Sequence, residues 1–360
     1  MSTERQAAIW LGIIVLVVIL LFALRSVLLP FVAGMAVAYF LDPVVDRLER
    51  WGCSRTLATS IVTAAFLLIA VALVLVMLPI MQKQIVDFIE RLPDYTAALE
   101  RNVVAALELL KGSLRPEDWE NLRQAANQYV GQAIGWLGGF LKSVWTGGVE
   151  IFNLASLILL TPIVSFYLLR DWDMIVENVD RWLPRRHRAV IREQIMLIDE
   201  RLAGFVRGQG LVCMTLALFY AIALSIAGLE FGLLVGLGAG FVSFIPYVGF
   251  ILGMIASVGL AIVQFGEIQP VLIVAAIFIA GQVIEGNFLS PKLVGERVGL
   301  HPVWVIFALF AGGALLGFVG VILAVPLAAV IGVLSRFALG RYLESPLYSG
   351  GTGTKSGGKK

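Results

Sequence analysis

The sequence predicts an all-α, polytopic membrane protein, and three observations predict it. Hydrophobic residues make up 59% of the 360 positions and charged residues only 14%, whereas a soluble domain carries about 25% charged residues. The apolar positions gather into runs near the ~20 residues that a helix needs to cross a bilayer core, and the mean hydropathy is +0.91. The 37 glycines and the repeated prolines fit membrane helices, where both are commoner than in soluble ones. About eight hydrophobic segments follow, with an external helical segment between them.

Taken in order, residues 9–24 and 27–41 are each short for a span, with Arg25 and Pro30 between them. They are candidates for a tight re-entrant hairpin. Residues 9–24 follow the head MSTERQ, but no small-residue cleavage site comes after them, so the run reads as a retained membrane segment. Asp42-Pro43 has the form of a helix start, N-cap then N1, with Val44, Val45 and Leu48 facing inward. Residues 56–80 make a full-length span. The stretch 81–142 is polar yet helical in pattern: Met81, Ile85, Phe88, Ile89 and Leu92 share a face, as do Leu99, Val103, Leu107, Leu110 and Leu114. Pro116 then opens a third helix carrying Trp119, Leu122 and Tyr129.

Spans follow at 152–169, at 211–229 and at 271–289. Between the last two, residues 231–265 hold two further segments divided around Ser243-Phe244-Ile245-Pro246-Tyr247. The final run, 304–339, is too long for one span; Gly312, Gly313, Gly317, Gly320 and Pro326 interrupt it, making it a second candidate for a re-entrant pair. Gly232, Gly236 and Gly240, Gly249 and Gly253, and Gly313 and Gly317 have the small-xxx-small spacing that lets helices approach closely. Between 171 and 208 the chain turns amphipathic. Ile175, Val176, Val179, Trp182 and Leu183 form a stripe suited to the membrane interface; Ile191, Ile195, Ile198, Leu202 and Phe205 form a helix-packing seam. The regions are thus 1–80, an external segment 81–146, a membrane region 147–345, and a Gly/Ser/Lys tail 346–360 of disordered composition.

Orientation follows from Lys and Arg in short loops. Arg47, Arg50 and Arg55 mark one cytoplasmic loop, Arg170 to Arg192 a second, Lys292 and Arg297 a third. Arg336, Arg341 and the terminal lysines put the C-terminus on the same side, so both termini are expected in the cytoplasm. A net charge of +2 gives no nucleic-acid footprint, and two cysteines with two histidines form no metal or redox pattern, so no cofactor is expected. No nucleophile–base pair and no ATP-binding loop occur, which excludes an enzyme reading and leaves secondary or facilitated transport.

The candidate site comes from residues that are costly in lipid. The apolar helix approaching position 281 runs into Gln282, Glu285 and Asn287 before it breaks at Pro291. An intramembrane carboxylate is a functional-site hypothesis by default; the alternative is an interfacial Glu285 paired with Lys292 or Arg297. The break at Ser243, Pro246 and Tyr247 has two readings as well: a discontinuous helix lining a cavity, or a turn between two spans. Joined, Gln282, Glu285, Asn287, Ser243, Pro246 and Tyr247 could line a path for a small polar solute. Glu230, Gln264 and Glu267 read as solvated loop residues, and His187 and His301 receive no role.

From about Pro30 to Arg341 the chain resembles the autoinducer-2 exporter family. The segments AYFLDPVVDRLER, TPIVSFYLLRDWD, FIPYVGFILG, IEGNFLSPKLVGERVGLHP and LGFVGVILAVPLAAV, in that order, carry the likeness. Gly286 departs from it, since the family often has an amide residue after the acid. The resemblance implies a bacterial inner-membrane protein in the lipid bilayer that forms homo-oligomers, as pentamers, and exports a small solute such as autoinducer-2. The family also has members linked to sodium/proton exchange and to sporulation. Two other readings therefore stand beside export. One is a sodium/proton antiporter titrating Glu285, for which this chain offers few carboxylates. The other is a non-transporting membrane scaffold.

Overall fold

The computed structural model describes residues 28–110, 148–294 and 301–345, together with 12, 22–24, 120, 124, 128, 131, 132, 135 and 348. Among these there is no strand. The helices are α1 (Leu28–Arg50), α2 (Arg55–Leu110), α3 (Gly148–Trp182), α4 (Arg188–Ile226), α5 (Gly232–Val242), α6 (Val248–Phe265), α7 (Ile268–Ile284), a π-helix (Glu285–Val294) and α8 (Pro302–Leu343). Six helical stretches are long and apolar enough to cross a membrane, so the all-α polytopic class holds. The expected first segment, the third external helix with Trp119 and Tyr129, and the tail lie outside the described residues, apart from the isolated positions above.

The chain divides into two units. The first comprises residues 33–170 and 208–293. In it, Ala38, Leu41 and Val45 of α1, Ala58 and Val62 of α2, and Leu169 of α3 form a buried apolar cluster. Above this cluster Arg55 reaches Asp46 at 3.1 Å, Glu49 at 2.9 Å and Asp42 at 3.4 Å, and its Nε donates to the Leu169 carbonyl at 3.0 Å. This corrects one expectation: Asp42-Pro43 does not start a helix, because α1 runs through Pro43. Burial of Val45 and the Asp42–Arg55 pair hold the helix across the proline, a tertiary override of a local signal. Val44, expected inward, is exposed.

Helix α2 is a single element of 56 residues with Pro79 and Pro93 inside it. The expected boundary near residue 81 between span and external helix is therefore no break. Its far part docks on the loop between α4 and α5. Phe88 meets Phe231 edge-on at 5.3 Å, Arg91 donates to both oxygens of Glu230 at 2.8 and 2.9 Å, and Gln84 accepts from the Leu234 N–H at 3.2 Å. Gln264 accepts from the Glu230 N–H at 2.9 Å and donates to the Gly228 carbonyl at 2.8 Å. Glu230 and Gln264 are thus structural ties rather than merely solvated loop residues.

Helices α4 to α7 mesh through glycine. A Cβ on Gly232 would lie 2.8 Å from the Leu224 carbonyl carbon; one on Gly236 or Gly240 would collide with the backbone of Ala221 or Ala217. On α6, Gly249 faces Ser243 Oγ, and a Cβ at Gly253 would sit 2.6 Å from both Ala239 Cβ and Phe278 Cε1. Small residues at these spacings let the backbones touch, which is how helices associate where lipid is as apolar as leucine.

The second unit comprises residues 1–32, 171–207 and 294–360. Here α8 is two helices joined at Gly317, whose φ of 62° and ψ of −140° are non-helical. The arms double back: a Cβ on Gly312 would collide with the Gly320 carbonyl. The expected interruption of the last run is real, but the close approach is Gly312 on Gly320, and Gly317 is the turn instead of a packing contact with Gly313. In the same unit Ile191, Ile195 and Ile198 of the expected seam face Leu334 and Phe337 around a cavity of about 510 Å³. Asp180 binds Arg192 at 2.5 Å and is hydrogen-bonded by Arg188 as well. These two guanidiniums, Arg188 first, hold its carboxyl well below the usual carboxylate range.

Candidate functional site

The site is assembled on one face of α4. Residues 209, 213, 216 and 220 fall at spacings of four, three and four, which places them in one column along a helix. Leu216 and Tyr220 are fully buried. The Tyr220 ring stacks on Phe278 of α7, with centroids 4.5 Å apart. Gly281 exists as glycine for a plain reason: a Cβ there would strike the Tyr220 hydroxyl.

That hydroxyl has no hydrogen-bond partner, nor does the buried Oε1 of the neighbouring Gln282. Ser257, fully buried on the glycine face of α6, also has an unpartnered hydroxyl. An orphaned polar group inside a dry interior costs about 1–3 kcal/mol, which makes the two such atoms around Gly281 candidates for contact with a polar guest.

Glu285 follows Gln282 by three residues and sits where α7 gives way to the π-helix. Such a wider turn is uncommon and is frequent at functional sites. The helix does not break at Pro291, as the sequence suggested; it widens and carries Pro291 within the π-helix. Glu285 is half-buried and lies near Cys213 and Tyr220 of α4. Lys292 is exposed, and no ion pair links it to Glu285 among the described residues; Arg297 lies outside them.

Ser243 joins the same column from α5. Its carbonyl accepts a buried hydrogen bond of 2.7 Å from Gln209, and its hydroxyl donates to the Ala239 carbonyl at 2.9 Å. Gln282, Glu285 and Ser243 are therefore gathered along α4. The other three candidates lie farther out. Asn287 is exposed on the π-helix, Pro246 is in the turn after α5, and Tyr247 is 51% exposed at the start of α6. The turn satisfies its own backbone: Phe244, Ile245 and Val248 donate to Phe241, Val242 and Ile245 at 3.0 to 3.2 Å. Its geometry is that of a tight turn rather than of free carbonyls around a cavity. Tyr247 has a φ of 67°, the one described residue other than glycine with a positive φ, a conformation that bulky side chains seldom adopt.

Sequence reasoning missed Gln209 and Tyr220. A signal for Tyr220 existed, since it is the one hydroxyl in LALFYAIAL. Gln209 carried none, because its partner is a backbone carbonyl 34 residues away. A second polar patch joins α1, α2 and α3: Ser165 donates to the Gly34 carbonyl at 2.9 Å, and the hydroxyls of Thr59, Thr63 and Thr161 are buried without partners.

A family model described as AI-2E family transporter matches residues 11–340. The chain is similar to YrrI of Bacillus subtilis (strain 168), provisionally named a transport protein, at 27% identity over 312 residues and 86% of each chain. It is similar to PerM of Escherichia coli (strain K12), provisionally named a permease, at 30% identity over 319 residues and 87% of each chain. A provisionally named transport protein of Mycobacterium tuberculosis (strain CDC 1551 / Oshkosh), MT0215, is 28% identical over 347 residues, covering 93% of this chain and 91% of the relative.

Proposed function

The chain belongs to the AI-2E transporter family, and we propose that it is an exporter of a small polar solute with its passage along the α4 face. It is a multi-pass membrane transporter. The observation that carries the passage is the pair of unpartnered buried atoms, Tyr220 Oη and Gln282 Oε1, beside Glu285. A polyhydroxylated solute would satisfy a phenol, an amide and a carboxylate together, and autoinducer-2 is the cargo that the family's name points to. With no ATP-binding loop in the sequence, transport would be secondary or facilitated. The arginine pattern supports an inner-membrane topology with both termini in the cytoplasm, and the external segment 81–146 offers apolar stripes for a homo-oligomer, a pentamer in this proposal.

A second reading has a specific observation behind it. Glu285 is a half-buried carboxylate beside the column, which would suit proton-coupled exchange of sodium. Flux of labelled autoinducer-2, sodium and protons in proteoliposomes containing only this protein separates the readings. Glu285→Gln is expected to lower solute flux at least tenfold, or to abolish its pH dependence, with oligomer size intact. Tyr220→Phe is expected to lower flux while leaving stability unchanged or raising it by about 1–3 kcal/mol, because an orphaned hydroxyl is removed. Wild-type flux from both variants across pH would sink the passage. Sodium-dependent proton movement without solute flux would favour the antiporter.

A further inference from the structure

The two arms of α8 enclose a groove of about 680 Å³ that the passage does not use. One wall is the 3-4 repeat Trp304, Phe307, Ala308, Ala311, and the other includes Ala324, Leu327, Ala328 and Ile331. The groove is apolar along its length and polar at one end only, where His301, Ser335 and Arg336 stand. We propose that this groove is a phospholipid site, taking one acyl chain between the arms and an anionic headgroup at His301 and Arg336. It is independent of the solute passage.

Length supports this occupant. From Trp304 to Leu315 the wall is about 17 Å at 1.5 Å per residue, close to the ~15 Å depth of one leaflet, half of a ~30 Å core. The arm from Pro302 to the Gly317 turn rises about 22 Å, which is short of a full crossing, so the closed end of the groove falls inside the bilayer. Trp304 is largely exposed beside the polar end, and tryptophan favours the headgroup level. A chain entering there would lie in one leaflet with its headgroup at the interface.

Charge supports an anionic headgroup. Arg336 brings a guanidinium, whose planar fork matches phosphate oxygens. His301 is oriented for the same task. Its Nδ1 accepts from the Val303 N–H at 3.4 Å, so the neutral ring carries its proton on Nε2, a donor for a phosphate oxygen. Basic pockets between membrane helices are recognised headgroup sites in general.

The test uses the full-length protein, purified and washed in detergent, then incubated with phosphatidylglycerol or phosphatidylcholine of identical chains. Native mass spectrometry counts the retained lipid. Wild type is expected to hold one phosphatidylglycerol per chain at a level at least tenfold above phosphatidylcholine. Arg336→Gln should bring the two lipids within twofold, and Ala328→Phe should remove both by filling the groove. Should Ala328→Phe not purify as a single species, Ala311→Leu fills the opposite wall. Equal retention of the two lipids by wild type, or unchanged retention after filling, would overturn the proposal. Efficient disulfide dimers of an Ala328→Cys variant in intact membranes would also overturn it, by assigning the groove to a second copy.

Discussion

Glycine closes one part of this protein and opens another. In the α4–α7 layer, Gly232, Gly236, Gly240, Gly249 and Gly253 each face a neighbouring helix, and backbones meet where side chains would stand. In α8, Gly312 and Gly320 meet at the apex, Gly317 turns the chain, and the arms part around a groove of about 680 Å³. The polar groups divide the same way. The tight layer buries Gln209, Ser243 and Tyr220 at its contacts, whereas the groove keeps its polar residues at the mouth. The lesson concerns where a solute site can be built. Close packing fixes polar atoms in place and leaves some unsatisfied, while an open apolar groove keeps polar groups at its mouth and none along its length.

The strongest way to break this contrast is to add side chains on both sides. Gly240→Leu puts a branched chain into the Ala217 backbone and should cost at least about 3 kcal/mol, since backbone cannot rotate away. Loss of monodisperse protein on gel filtration is the expected outcome. Ala308→Leu, in the groove, should leave the thermal midpoint in detergent within error. Equal damage from both would erase the distinction between a closed and an open interface.

Two of the positive-φ positions, Gly317 and Tyr247, sharpen it further. Gly317→Ala should destabilise by about 1–3 kcal/mol, because its φ and ψ belong to glycine. Tyr247 already occupies a strained position without being glycine. Tyr247→Gly should therefore be nearly neutral or stabilising by up to about 1 kcal/mol, relief of strain being offset by glycine's greater unfolded-state freedom. A thermal midpoint that falls clearly would show that the Tyr247 side chain is held by contacts worth more than its strain. Retained stability with lost flux would assign that side chain to transport.

The smallest effect concerns Asp180. Its pKa is depressed by the hydrogen bonds from Arg188 and Arg192. A depressed carboxylate contributes stability above its unfolded value near 3.9 and loses it only as pH falls through the lower folded value. Melting curves should show a contribution from this clamp that does not vary with pH between pH 5 and 8. Asp180→Asn should lower the midpoint slightly and equally at every pH in that window; a change that varies across the window would mean another group titrates with it.

How much of this was legible in the sequence varies with the range of the interaction. The helices, the small-residue seams at Gly232, Gly236 and Gly240, and the choice of Gln282 and Glu285 as candidates follow from composition, spacing and the cost of charge in lipid, all of which are local or solvent-determined. The Asp42-Pro43 signal failed for the complementary reason: Arg55 and a buried Val45 stabilise a helix that the local code would interrupt. Tyr220 and Gln209 gained their meaning only when Phe278, Gly281 and the Ser243 carbonyl arrived from distant segments. The spacing of Gly313 and Gly317 matched a packing motif, and only the reversal of the chain at Gly317 showed which glycines touch. By itself the sequence determined that these segments are helices in lipid and which residues are expensive there. Tertiary structure alone decided which of those residues meet, because a contact between helices depends on register and rotation, and neither is encoded within a single helix.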